Sequence, residues 1–169
     1  MAETGFNVTD RFDADAMQSF MRQPGMYWPT QDALAPQPDE INFVERMLSP
    51  SVWTYAATLG GHICGYVQFV ARTSVMSEIT AGFHPQCRGR IAKAIAAHAI
   101  GLAFRDLGVV KIIACVPADN RPARMVVRLL GFDEEARLHD AIVRPMTDKF
   151  TTPLRDIIIY SLTRPRRSA

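Results

Sequence analysis

One stretch of the chain narrows the possible folds more than any other. Ser77-Glu78-Ile79-Thr80-Ala81-Gly82-Phe83-His84-Pro85-Gln86-Cys87-Arg88-Gly89-Arg90-Ile91-Ala92 sets a strand, a tight basic turn with a glycine and a helix start in immediate succession. A helix that starts this way is an anion cradle. Its first backbone N–H groups point outward unpaired, its dipole adds a partial positive charge, and Arg88 and Arg90 add full ones. A pyrophosphate fits such a cradle, although a plain strand-to-helix turn uses the same residues, so the local pattern alone leaves both readings open.

The flanking sequence builds a sheet around this turn. Alternation at Phe6, Asn7, Val8 and Thr9 predicts a first strand over residues 6–12, and Asp13 starts a helix over 14–22. An irregular loop through Met26-Tyr27-Trp28-Pro29 to Pro36 and Pro38 follows, where proline forbids regular structure. Pro38-Asp39-Glu40 opens a second helix that Ser49-Pro50 closes, with Ile41, Val44 and Leu48 as its apolar face. Strands at 52–58 and 63–70 flank the hairpin signal Gly60-Gly61, and a third runs over about 75–84.

A helix over 88–104 then ends before Gly108, with Ile91, Ile95 and Leu102 at helical spacing. The apolar run 109–116 reads as a strand buried on both faces. A helix over 120–130 closed by Gly131 and strands over 132–143 and 156–162 complete the chain, with a polar loop at 144–153. The order β-α-α-β-β-β-α-β-α-β-β, without repeats or linkers, implies an α+β fold. Residues 1–169 form a single domain: a central twisted sheet of six to seven strands flanked by about four helices, with 164–169 a basic tail.

Composition removes several classes of function. A formal net charge of +2 does not announce nucleic-acid binding, and Arg164-Pro165-Arg166-Arg167 reads as a solvated terminus. Cys64, Cys87 and Cys115 form no Cys-x-x-Cys pair, so neither disulfides nor a metal site is expected. The absence of a targeting segment and of a long apolar stretch predicts a cytoplasmic protein without a membrane partner.

The turn resembles the defining motif of the GNAT acetyltransferase superfamily, Arg/Gln-x-x-Gly-x-Gly/Ala, which Gln86-Cys87-Arg88-Gly89-Arg90-Ile91 matches at Gln86 and Gly89. Asp119-Asn120-Arg121-Pro122-Ala123 and Leu130-Gly131-Phe132 are similar to the family's Asn-x-x-Ala/Ser helix and its Leu-Gly-Phe turn. The ending Arg155-Asp156-Ile157-Ile158-Ile159-Tyr160-Ser161-Leu162 is similar to the last strand of the branch that acetylates ribosomal-protein N-termini. The blocks His84-Pro85-x-x-Arg88-Gly89 and Val116-Pro117-x-x-Asn120-Arg121-Pro122-Ala123 also resemble acetyltransferase-like proteins of bacteriophages.

The resemblance covers residues 53–164 and implies an N-acetyltransferase that moves an acetyl group from acetyl-coenzyme A to a primary amine by direct attack. It implies a sheet splayed beside the strand 75–84, the pantetheine arm pairing near Phe83 and His84, and the pyrophosphate on Arg88, Gly89, Arg90 and Ile91, with Gln86 completing the cofactor turn. The acceptor is a small amine or a protein N-terminus, and a homodimer is possible.

For chemistry, the resemblance places Glu78 at the family's frequent glutamate base; the alternative is an exposed strand carboxylate. Asn120 either orients a water or the cofactor, or simply caps its helix. His84 shuttles protons or is positional, Tyr160 is a further proton-donor candidate, and Cys115, in an apolar strand with no base beside it, is read as core. Two departures from the family stand out. Ile91 replaces a small residue that lets backbone approach phosphates, and Val127 replaces a tyrosine that returns a proton to the departing thiolate. Both favour the competing reading of a catalytically inactive protein for cofactor sensing or virion assembly; acetylation of a modified nucleotide is a further alternative.

Overall fold

The computed structural model of the chain describes residues 5–23, 26, 42–143 and 154–165. The aromatic loop beyond Met26, the expected start of the second helix, the polar loop 144–153 and the tail end 166–169 lie outside the described residues. The elements follow the order read from the sequence: β1 (Phe6–Thr9), α1 (Ala14–Met21), α2 (Phe43–Met47), β2 (Val52–Leu59), β3 (His62–Ala71) and β4 (Met76–Phe83). A short 3-10 turn (Pro85–Cys87) leads into α3 (Arg90–Asp106), β5 (Lys111–Pro117), α4 (Arg121–Leu129), β6 (Asp133–Val143) and β7 (Leu154–Thr163).

The seven strands form one sheet in the order β1-β2-β3-β4-β5-β7-β6. Among the strand pairs only β4 and β5 run parallel, because α3 carries the chain between them and returns it in the same direction. The β2–β3 hairpin turns at Gly60 and Gly61, whose φ angles of 58° and 83° suit glycine and match the sheet's twist. At the far edge β6 is exposed over most of its length and carries many charges, which discourages pairing with another chain.

Each face of the sheet has its own core. On one side α3 and α4 cover Tyr55, Val67, Phe69, Ile112, Ala114, Ile158 and Tyr160, with Ile95, Ala99 and Ala103 of α3 at helical spacing against them. On the other, α1 and α2 set Met17, Phe20, Met21, Phe43 and Met47 on Ala56 and Tyr66. Tyr66 Oη donates to the Met26 carbonyl at 2.9 Å, which pins the chain after α1 onto this second face. Directly below, Gly82 leaves room for it: a Cβ there would sit 2.1 Å from the Met26 oxygen.

That contact generates a paired expectation. Gly82→Ala forces backbone against backbone and is expected to cost about 1–3 kcal/mol. Gly101→Ala, inside α3 with nothing within 4 Å of its Cβ, is expected to gain about 0.5–1 kcal/mol from helix propensity. Thermal denaturation then shows melting temperatures moving in opposite directions, by about 2–4 °C per kcal/mol in a chain of this size.

Candidate active site

The pairing of β4 with β5 stops early. Met76, Ser77 and Glu78 pair with Lys111, Ile112 and Ile113, and the strands then part, although β4 continues to Phe83 and β5 to Pro117. The ladder's alternation assigns the freed groups. His84 N–H bonds to Cys64 O on β3, so even-numbered residues of β4 address β3, while odd-numbered ones address the gap. On β5, Ala118 N–H bonds to Asp156 O toward β7, whereas Lys111 N–H bonds to Val75 O. The odd-numbered residues of β5 therefore face β4. Backbone groups of Ala81, Phe83 and Cys115 line an open edge, and Pro117 contributes no donor to close it.

A cleft of about 400 Å³ occupies the gap, walled by Thr80 to Phe83, Cys115 to Pro117, Arg88, Gly89 and the α4 residues Ala123 and Val127. A larger hollow of about 560 Å³ lies elsewhere, between β1, α2 and the C-terminal end of α3. The helix start that lines it, at Ala14, is capped by Asp13, whereas the smaller cleft adjoins an uncapped one.

The N-terminus of α3 opens at the same end. The other three α-helices are closed by side chains: Asp13 accepts from Ala16 N–H, Asn42 from Glu45 N–H and Asn120 from Ala123 N–H. At α3 the cap position is Gly89, with φ 69° and ψ −125° and no side chain to accept, and the first main-chain bond runs from Lys93 N–H to Gly89 O. The helix accordingly starts at Arg90, two residues later than expected. The amides of Arg90, Ile91 and Ala92 are left for an anion.

Arg88, Gly89, Arg90 and Gln86 are exposed around this opening. Arg88 Nε donates to the Phe83 carbonyl at 3.3 Å, bridging cradle and strand edge. Ile91 turns into the core beside α3's other apolar residues, so only its backbone faces the cradle side. Gln86 N–H donates to His84 Nδ1 at 3.4 Å, which gives that histidine a positional role. Its own N–H is taken by β3, leaving Phe83 rather than His84 to offer an amide to a ligand.

Glu78 stands at the last paired rung before the gap. The structure corrects the picture of an exposed carboxylate: Glu78 is 7% exposed, and its Oε2 accepts from Arg72 Nε at 2.8 Å and from Arg72 Nη2. Both of these hydrogen bonds fall on Oε2. Cys115 is corrected too. It is half-buried rather than core, because β5 has no neighbour on this side beyond Ile113. Burial first, then the Glu78 carboxylate beside it, push its thiol up to about 11, so it remains a neutral thiol at physiological pH.

Cys64 and Cys87 are buried free thiols; burial and the adjacent Cys87 push Cys64 up to about 12. Tyr160 is fully buried on the α3 face, its hydroxyl accepting from Arg124 Nε at 3.2 Å, and does not line the cleft. Sequence reasoning missed Arg72, Thr80 and Gln68, which only strand register brings to Glu78. Among the described residues no group of three or more His, Cys, Asp and Glu could hold a metal ion, and no helix is long and apolar enough to cross a membrane.

Residues 7–133 match the model of the acetyltransferase (GNAT) domain. The chain belongs to the GNAT acetyltransferase family. It is an acetyl-CoA-dependent acyltransferase, moving an acetyl group to an amine.

The GNAT fold is shared with a spermidine N-acetyltransferase from Vibrio cholerae, solved with CoA and spermine, at TM-score 0.75, 14% identity and 94% and 95% coverage of the two chains. A GNAT acetyltransferase from Streptococcus pneumoniae is similar at TM-score 0.75 and 15% identity, covering 94% and 99%. The ribosomal-protein-S5-alanine acetyltransferase from Vibrio fischeri is similar at 0.71 and 14%, covering 94% and 92%. No curated protein matches the chain in sequence. These comparisons give no support to an inactive sensor, an assembly protein or a nucleotide-modifying enzyme.

The backbone at Gly89 supplies a test. No atom lies within 4 Å of a Cβ built there, so Gly89→Ala strains the φ of 69° without a clash. Titration calorimetry is expected to show CoA affinity lowered about tenfold, a loss of about 1.4 kcal/mol, while the fold is retained.

Proposed function

We propose that the cleft between β4 and β5 holds acetyl-CoA with its diphosphate on the Arg90, Ile91 and Ala92 amides and its arm along Ala81 and Phe83, and that the acceptor amine arrives from the α1–α2 face. The observation that carries this reading is the coincidence of an uncapped helix N-terminus with an unpaired strand edge at one end of the sheet. Among the described residues each of the other helices has a side-chain cap where α3 has none.

Bound acetyl-CoA supplies an acyl carbon that an amine attacks, the new C–N bond replacing the C–S bond. The chain's residues then have three tasks. Glu78, through Oε1, takes the proton that the amine loses. Arg72 holds that carboxylate through Oε2. Backbone N–H groups of the open β4 edge donate to the oxygen that gains charge.

Val127 on the cleft wall offers no proton, so the thiolate takes one from water. Asn120 stands at the same wall, its Oδ1 accepting from the Ala123 N–H, which suits it to capping α4. The structural neighbours include enzymes named for a polyamine and for a ribosomal-protein-S5 alanine. A primary amine is the class common to both.

The experiment is release of free thiol from acetyl-CoA in the presence of an amine panel. Glu78→Gln is expected to lower kcat by about 10²–10⁴, with CoA affinity by calorimetry within about twofold. Unchanged turnover in that variant removes Glu78 from the chemistry.

A further inference from the structure

The sheet face beneath α1 and α2 carries a polar row that the steps above leave unused. Thr54 on β2, Gln68 on β3 and Thr80 on β4 stand directly opposite one another in register, with Glu78 two residues before Thr80 on the same face. All three are buried, Gln68 completely. Gln68 Nε2 donates to Thr54 Oγ1 at 2.9 Å. Gln68 Oε1 and Thr80 Oγ1, on adjacent strands, are buried without any hydrogen-bond partner.

Buried polar atoms are almost always satisfied, and valine would suit a strand position such as 80 equally well. Two orphan oxygens on residues paired in register therefore mark a place kept for a partner. Thr80 lines the cleft, two residues beyond the Glu78–Ile113 pair, where the strands have parted and Cys115 stands on the other wall. The row thus begins where the acceptor amine must come and runs under α1 and α2.

We propose that Thr80 and Gln68 are specificity-determining residues that receive the amide next to the reacting amine, so that the acceptor is a primary amine followed by a peptide group, as at a protein or peptide N-terminus. This rests on the acetyltransferase reading of the cleft. The chemistry of the two oxygens selects the class. A threonine hydroxyl donates and accepts, a glutamine carbonyl oxygen accepts only, and together they match a peptide group that offers one C=O and one N–H.

Charge argues in the same direction. The carboxylate beside the row, Glu78, already carries the Arg72 guanidinium, so a polyamine would bring several positive charges to neutral groups and a compensated acid. An α-amine, with an ordinary pKa of about 7.7–8.0, reaches the cleft with a substantial neutral fraction ready to attack.

The test compares alanyl-alanine amide, spermidine and n-propylamine as acceptors for the wild type, Thr80→Val and Gln68→Met, following thiol release and the melting temperature. The wild type is expected to favour the peptide amide over both other amines by about tenfold or more in kcat/KM. Each variant is expected to raise KM for the peptide by about tenfold. KM for acetyl-CoA and the rate with n-propylamine should hold within about twofold. The melting temperature should be unchanged or higher in Thr80→Val, whose orphan atom is gone, and lower in Gln68→Met, which leaves the buried Thr54 hydroxyl without its partner.

Thiol release that favours spermidine, or variants that leave the peptide KM unchanged, overturns the peptide-amide assignment while the acetyltransferase reading stands. No thiol release with any of the three amines overturns both. A fall in melting temperature with equal losses on the peptide and on n-propylamine shows that the row is structural, and likewise overturns the proposal.

Discussion

The ladder between β4 and β5 ends after Glu78 and Ile113, and the site is built from what that ending leaves open. Each strand keeps a ladder on its other side, β4 with β3 and β5 with β7, so the gap does not loosen the sheet. What remains is a line of backbone donors and acceptors inside a folded domain, which must be met by water or by a ligand. Because β4 passes through its 3-10 turn straight into α3, the same end of the sheet also presents the one α-helix among the described residues with no side-chain cap. A single break in pairing thus sets a free strand edge next to a positively polarised helix start, the two features that an elongated anionic cofactor needs.

The two faces of the sheet divide the remaining work. Under α3 the side chains are apolar and closely covered, which fixes the angle at which the helix meets the cleft. Under α1 and α2 polar groups enter the packed face: Thr54, Gln68, Glu78 and Thr80 are all buried there. Tyr66, Gly82 and Met26 hold the chain after α1 against this face, the hydroxyl supplying the bond and the glycine the space. Arg72 rises from the β3–β4 turn to meet Glu78, so a buried carboxylate that would otherwise be costly is compensated.

The fold was largely legible because its punctuation is local. Gly60-Gly61 between two apolar runs, Ser49-Pro50 after α2 and Gly131 after α4 each mark a boundary that the backbone obeys. Differences arise where a single residue's conformation decides. Gly89 at φ 69° delays α3 to Arg90, and β1 ends at Thr9, short of the expected Phe12. The cradle was legible in the turn's own residues, and Glu78 through the family resemblance.

Arg72, Gln68 and Thr80 were not legible, since what joins them to Glu78 is the register of three strands, a non-local property that no residue announces. Cys115 shows the same limit from the other direction. An unbroken apolar run reads as buried on all sides, and only the early end of its pairing opens one side to the cleft.

The most direct measurement is a crystal structure of the protein grown with coenzyme A. It should show diphosphate oxygens within hydrogen-bond distance of the Arg90, Ile91 and Ala92 amides and the pantetheine amides bonded to backbone groups at Ala81 or Phe83. Density for the ligand in the hollow between β1 and α2, or an α3 N-terminus occupied only by water at saturating ligand, would contradict the account.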